Sequence, residues 1–181
     1  MKNSHRLLVN LVLLLAVSTA LRAQVPEAAQ DKPKPPLPNY VELSSLIGTG
    51  GQPDETGMKQ LAEKGYKCII NLRTSGEAVD LAAEEKQARQ LGLRYYMVPF
   101  SGKEPSEEQA LAFNALMSAL KEEKVFVHCT IGARVATLMT IYFALEQGMS
   151  PDAAEQQAWK IGLRIPELLE FSKRVIEHHK K

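Results

Sequence analysis

The chain has 181 residues, of which 45% are hydrophobic and 24% are charged, and its formal net charge is +1. These fractions match ordinary globular proteins and exclude a fibrous protein, a largely disordered chain and a polytopic membrane protein. The near-neutral charge gives no general attraction to nucleic acid or acidic lipid, so an anionic partner must be recognised locally.

The N-terminus has the pattern of a secretory signal peptide. Lys2 and Arg6 precede an apolar run over residues 7–17, and small residues follow as far as Ala23. An uncleaved membrane anchor is the alternative, although the run is shorter than the roughly 20 residues of a spanning helix. Without residues 1–23 the chain carries 19 basic and 21 acidic side chains, a net charge of −2. The sequence therefore predicts a periplasmic or secreted protein that could touch a membrane only through this segment.

Residues 24–39 are rich in proline, which occupies positions 26, 33, 35, 36 and 38. Such a density of proline disfavours helix and central strand and predicts an extended tether. We therefore expect the folded domain to comprise residues 40–181.

The remaining chain alternates between strand and helix patterns. Predicted strands are short apolar segments at residues 46–47, 67–72, 94–98 and 125–127. Predicted helices cover residues 54–64, 78–91, 106–120 and 133–147, with one more from residue 150 and a last one after residue 166. Because strands that alternate with helices form parallel sheets, the sequence predicts an α/β fold with a mostly parallel central sheet flanked by helices.

The most informative stretch follows the last predicted strand and reads His128-Cys129-Thr130-Ile131-Gly132-Ala133-Arg134. Between a strand and a helix, successive backbone N–H groups of such a loop can form an anion-binding nest, and the helix N-terminus adds partial positive charge. Arg134 offers a planar fork to two oxygens of an oxyanion, and the same positive field favours a reactive thiolate at Cys129. We therefore predict that residues 130–134 bind an oxyanion and that His128 orients the loop, and an ordinary strand–turn–helix with a buried thiol is the alternative.

This loop resembles the signature of the cysteine-dependent protein phosphatases of the dual-specificity type. Other stretches resemble one bacterial branch, the beta-lactamase-hydrolase-like, phosphatase-like family: Gly51-Gln52-Pro53, Gly65 to Arg73 with Glu77, Gly92 to Tyr96, and Val127 to Arg134. The resemblance covers about residues 45–165 and implies a phosphotyrosine-phosphatase-like fold. It also implies that Cys129 attacks phosphorus to form a phosphocysteine, while Arg134 and the loop amides stabilise the equatorial oxygens. The implied substrate is a phosphorylated protein or a small phosphoester, and no cofactor is implied.

Three features depart from the usual phosphatase pattern. Four residues rather than five separate Cys129 from Arg134, Val135 stands where a hydroxyl residue is usual, and the loop over residues 99–105 has no Asp. Glu104 is the only carboxylate in that loop and is therefore the candidate general acid. The short loop keeps open a rhodanese-like sulfurtransferase that carries a persulfide on Cys129. The departures together keep open a non-catalytic phosphate-binding module.

Further predictions concern residues outside the loop. Arg73 and Glu77 follow a predicted strand, at the sheet edge where ligand sites form, and are expected to support the site. Cys68 either traps the loop thiol in a reversible disulfide or is a small buried apolar residue. The adjacent His178 and His179 are expected to be a solvated tail that does not converge on a metal, and no metal is predicted.

Overall fold

The computed structural model describes residues 34–162 and 165–180. The predicted signal peptide and most of the predicted tether lie outside the described residues, and the prediction of export remains a prediction. Among the helices of the described part, none is long and apolar enough to cross a membrane.

The described residues contain one five-stranded sheet with the order β1-β2-β5-β3-β4. The strands are β1 (Val41–Glu42), β2 (Ile47–Gly50), β3 (Cys68–Asn71), β4 (Arg94–Met97) and β5 (Val125–His128). Strands β2, β5, β3 and β4 run parallel, whereas β1 pairs antiparallel with β2 at the edge. The predicted mostly parallel sheet is therefore confirmed. The carboxyl ends of its parallel strands share one edge, where β5 delivers Cys129.

Six α-helices lie in the described residues: α1 (Glu55–Glu63), α2 (Leu81–Gln90), α3 (Glu107–Ala119), α4 (Ala133–Leu145), α5 (Pro151–Ala158) and α6 (Pro166–His179). The side chains of Asp54, Asp80 and Ser106 accept backbone N–H groups at the starts of α1, α2 and α3. The cap at Asp80 explains why α2 begins at Leu81 rather than at the predicted residue 78.

Alternating side chains of the two central strands face opposite layers of helices. Ile69 and Phe126 pack in an apolar cluster with residues of α1 and α2. Ile70 and Val127 pack in a larger cluster with residues of α3, α4, α5 and α6. The central strands are apolar along their length because helices cover both faces of the sheet. This burial fixes the position of the sheet edge that carries the site.

The folded unit extends further toward the N-terminus than expected, to Lys34. The Pro38 carbonyl accepts a hydrogen bond from the Gly51 N–H at 2.7 Å, and the Pro36 carbonyl accepts one from Asp54 at 3.1 Å. Proline lacks a donor but keeps its acceptor, so a proline-rich segment can still pair with donors of a neighbouring turn. The last residues of the predicted tether are thus part of the domain.

Candidate active site

The loop between β5 and α4 holds Cys129 at the base of the site. Cys129 is 2% exposed, and its Sγ accepts a hydrogen bond from the backbone N–H of Gly132 at 3.1 Å. Gly132 has a φ of 105°, a left-handed conformation that favours glycine over residues with a Cβ. This N–H lies at the opening turn of α4, where the helix N-terminus adds partial positive charge. The Cys129 sulfur therefore faces a backbone N–H donor and a helix N-terminus, the kind of surroundings in which reactive cysteines lie.

Arg134, in the first turn of α4, folds back over the loop. Its Nη1 and Nη2 donate to the two carboxylate oxygens of Glu77 at 2.7 and 2.9 Å, and Nη2 also donates to Thr130 Oγ1 at 2.9 Å. Nη1 donates further to the Phe100 carbonyl at 3.1 Å. Burial alone lowers the pKa of Arg134, but the Glu77 carboxylate and the Cys129 sulfur together outweigh it and raise that pKa. Arg134 is therefore a permanently charged fork held in one orientation beside Cys129.

Glu77 is the acceptor on which several donors of the site converge. Besides both Arg134 nitrogens, it accepts hydrogen bonds from Arg73 Nε at 3.1 Å, Thr130 Oγ1 at 2.7 Å and the Thr74 N–H at 2.8 Å. The hydrogen bonds from Arg134 hold the pKa of Glu77 far below its ordinary value, although burial opposes the shift. The structure thus brings the predicted Arg73 and Glu77 together at the loop. Glu77 is ionised at neutral pH and orients Arg134 instead of supplying a proton.

Arg134 and Glu77 form one wall of an open cleft of about 380 Å³. The cleft lies between the loop after β3 and the loop after β4. Its lining residues are Thr74, Gly76, Glu77, Ser101, Gly102, Lys103 and Arg134. Arg134 and the exposed Lys103 contribute positive charge to this cleft.

A buried polar network lies next to the loop, and its carboxylate, Glu84, was not predicted from the sequence. His128 is fully buried, and its Nε2 lies 2.8 Å from Glu84 Oε1, a short contact without the alignment of a good hydrogen bond. The other Glu84 oxygen accepts from Gln52 at 2.8 Å and from Asn71 at 3.2 Å. Burial favours the neutral acid, but the close contact with His128, the hydrogen bond from Gln52 and the charge of Arg73 hold the pKa of Glu84 below its ordinary value. Glu84 is therefore the residue that holds His128, the side chain predicted to orient the loop.

Of the two roles left open for Cys68, the strand register does not support redox pairing with Cys129. Cys68 pairs in register with Val125 at the start of β5, whereas Cys129 follows His128 at its end. Four residues of strand separate the two levels by about 13 Å, far beyond the Cα distance of a disulfide. Both cysteines are free, and burial raises the pKa of the Cys68 thiol. Cys68 is therefore a small buried residue of the core, which was the alternative interpretation.

The structure does not bring the candidate general acid Glu104 into the cleft. The Ser101 hydroxyl accepts the backbone N–H groups of Lys103 and Glu104 at 3.2 and 3.1 Å and closes a tight turn. In that turn Ser101, Gly102 and Lys103 face the cleft, and Glu104 is exposed and not part of its lining. A proton-donating role for Glu104 therefore has no support in this geometry.

The two C-terminal histidines do converge, contrary to expectation. His178 Nδ1 and His179 Nε2 lie 3.0 and 2.6 Å from the same oxygen of Glu107, in the first turn of α3. The prediction considered only α6, which carries both histidines, whereas the carboxylate that they approach belongs to α3. These contacts join the end of α6 to the start of α3.

Comparisons with known proteins show the family of the chain. A family model described as DSP-PTPase phosphatase fused to NAD+ kinase matches residues 38–167. A beta-lactamase hydrolase-like protein from Xylella fastidiosa (strain Temecula1) is 31% identical over 137 residues, which are 74% of this chain and 32% of that protein. The chain thus spans about a third of the length of this curated relative.

Solved structures agree on the fold. A DUF442 protein from Shewanella putrefaciens CN-32, named a phosphatase, has a TM-score of 0.69 at 25% identity and covers 80% of this chain and 95% of its own. PTPMT1 in complex with PI(5)P has a TM-score of 0.66 at 19% identity, over 77% of this chain and 95% of its own, which shows the fold alone. The family match covers most of the chain and includes the Cys129 to Arg134 loop. The chain therefore belongs to the DSP-PTPase phosphatase family.

Proposed function

We propose that this protein hydrolyses phosphomonoesters through a phosphocysteine on Cys129. One observation carries the proposal: the Cys129 sulfur accepts the Gly132 N–H at 3.1 Å, beside the fixed guanidinium of Arg134. A thiolate in that position is the reactive nucleophile, and the Arg134 guanidinium, held by Glu77, supplies fixed positive charge for a phosphoryl group.

The reaction has two steps. In the first, the Cys129 thiolate attacks phosphorus, a sulfur–phosphorus bond forms, and the ester oxygen leaves with the bonding electrons. In the second, water attacks the same phosphorus and releases inorganic phosphate and the thiolate. In both steps Arg134 and the loop N–H groups face the equatorial oxygens, where negative charge builds up in the transition state.

The lining of the cleft favours substrates whose alcohol leaves readily. Among the described residues that line it, Glu77 is the only carboxylate, and Arg134 keeps it ionised. A phenol leaves without full protonation more easily than an alkyl alcohol. We therefore propose phosphotyrosine-like or other small phosphoesters as substrates.

Export is part of the proposal and depends on the signal-peptide pattern of residues 1–23. We infer that the enzyme acts in the periplasm or is secreted. Cell fractionation of the full-length chain tests this, and a wholly cytoplasmic mature protein would contradict it.

The activity is tested by phosphate release from p-nitrophenyl phosphate under reducing conditions, with Cys129→Ser as the matched variant. We expect turnover by the wild-type domain and none by the variant, because a serine hydroxyl is not ionised at neutral pH. Turnover that survives in Cys129→Ser would place the nucleophile elsewhere. Phosphate binding without turnover in the wild type would indicate a non-catalytic phosphate-binding module.

A further inference from the structure

Residues 36–39, here called the strap, run directly behind the phosphate loop. The Pro38 carbonyl accepts the Gly51 N–H at 2.7 Å, and a Cβ at Gly51 would lie 2.7 Å from the carbonyl oxygen of Thr130. A Cβ at Gly57 would overlap the carbonyl oxygen of Pro36. Because Gly51 and Gly57 have no Cβ, the strap, the turn and the phosphate loop can pack against one another.

The strap ends in a direct hydrogen bond to the loop. Asn39 Nδ2 donates to the carbonyl oxygen of Ile131 at 2.9 Å. Asn39 has a φ of 52°, in the left-handed region that asparagine tolerates better than most residues. The preceding loop carbonyl, that of Thr130, accepts the Gln52 N–H at 3.1 Å. Two successive loop carbonyls are thus held from outside the loop.

Because a peptide unit is planar, a hydrogen bond that fixes its carbonyl also fixes the direction of its N–H. In a trans peptide unit the C=O and the N–H point in opposite directions. The Ile131 carbonyl and the Gly132 N–H belong to one such unit, and that N–H donates to Cys129 Sγ at 3.1 Å. A donor on the carbonyl therefore aims the N–H at the sulfur and polarises it further.

We propose that Asn39 is a positioning residue for the reaction and sets the reactivity of Cys129 through the Ile131–Gly132 peptide unit. The proposal rests on the proposed function for its choice of nucleophile. The test measures the reactivity of the Cys129 thiol directly, so the role of Asn39 and the proposed function can be refuted independently.

The experiment compares three variants with the wild type. Asn39→Gly keeps the left-handed backbone and removes the donor, and Asn39→Asp keeps the shape but turns an acceptor toward the Ile131 carbonyl. Gln157→Ala is the matched control, because Gln157 Nε2 also donates to a backbone carbonyl, that of Leu43, at 3.4 Å. Iodoacetamide labelling of Cys129 is followed by mass spectrometry as a function of pH, and kcat and KM are measured with p-nitrophenyl phosphate.

We expect the labelling midpoint to move to higher pH in both Asn39 variants, with the control at the wild-type midpoint. The loss of one hydrogen bond should lower kcat about fivefold and leave KM nearly unchanged. Wild-type labelling profiles in both Asn39 variants, or an equal shift in Gln157→Ala, would overturn the proposal. If Asn39→Gly does not fold, Asn39→Asp alone decides. A labelling shift in a protein without turnover would refute the proposed function and still support the role of Asn39.

Discussion

Replacement of Glu77 by Gln should lower the free energy of unfolding by roughly 2–3 kcal/mol. The change removes the charge that two arginines share and turns an amide toward donors. Breaking a fully buried pair costs about 3–5 kcal/mol, whereas an exposed pair contributes under about 1 kcal/mol. Glu77 and Arg134 lie between these limits, with side chains 24% and 12% exposed. For a domain of this size we expect the melting temperature to fall by about 5–10 °C.

A matched control is available on α2. Glu85 accepts two hydrogen bonds from Arg89, at 2.9 and 2.7 Å, but these side chains are 42% and 63% exposed. Glu85→Gln removes a similar carboxylate–guanidinium pair and should change the unfolding free energy by less than about 0.5 kcal/mol. Calorimetry of both variants decides. Equal effects of the two substitutions would refute the stabilising role of the Glu77–Arg134 pair.

The pH dependence gives a second test of the same contact. Because the folded-state pKa of Glu77 lies far below its unfolded value of about 4.3, the contribution is complete above about pH 5. It is lost as the pH falls below about 4 toward the folded-state pKa. The stability gap between wild type and Glu77→Gln should therefore narrow from pH 6 to pH 3. A gap that is constant over this range would contradict the assignment.

Three further predictions concern the support of the site. Glu84→Ala leaves His128 buried without its carboxylate and should cost about 3 kcal/mol in urea unfolding, so an unchanged midpoint would contradict the network. Gly57→Ala pushes a methyl group into the strap and should cost about 1–3 kcal/mol, whereas Gly76→Ala, with nothing within 4 Å of its added Cβ, should melt close to wild type. Cys68→Ala should not alter the rate of peroxide inactivation, and an intramolecular disulfide found by mass spectrometry in oxidised wild type would refute the strand register.

Local patterns predicted the parts of the fold that depend on local causes. The buried strand Cys68–Asn71 appeared as a continuous apolar run, and the helix starts at Asp54 and Ser106 appeared through their capping side chains. The two-residue strand Val41–Glu42 was missed, because so short an edge strand has no periodicity. The strap was missed because the density of proline shows only that this segment lacks backbone N–H donors. It does not show that the proline carbonyls accept N–H groups of the turn at Gly51 and Asp54.

The site was predictable where its residues follow strands in sequence. Cys129, Arg134 and Glu77 were found because strand ends and family motifs mark them. Glu84 was missed because a charged residue on a helix is expected to face water, whereas contacts with His128, Gln52 and Asn71 from other parts of the chain explain its burial. The sequence left two roles open for Cys68 because strand register, which decides which residues share a level, is not a local property.

The central claim is that Cys129 carries the phosphoryl group during turnover. Rapid acid quench of the wild-type protein with an aryl phosphate, followed by peptide mass spectrometry, tests it most directly. We predict one phosphoryl group on the peptide that contains Cys129, and none when Arg134→Ala removes the fork. Turnover without any phosphorylated peptide, or with the phosphoryl group on another residue, would contradict the account.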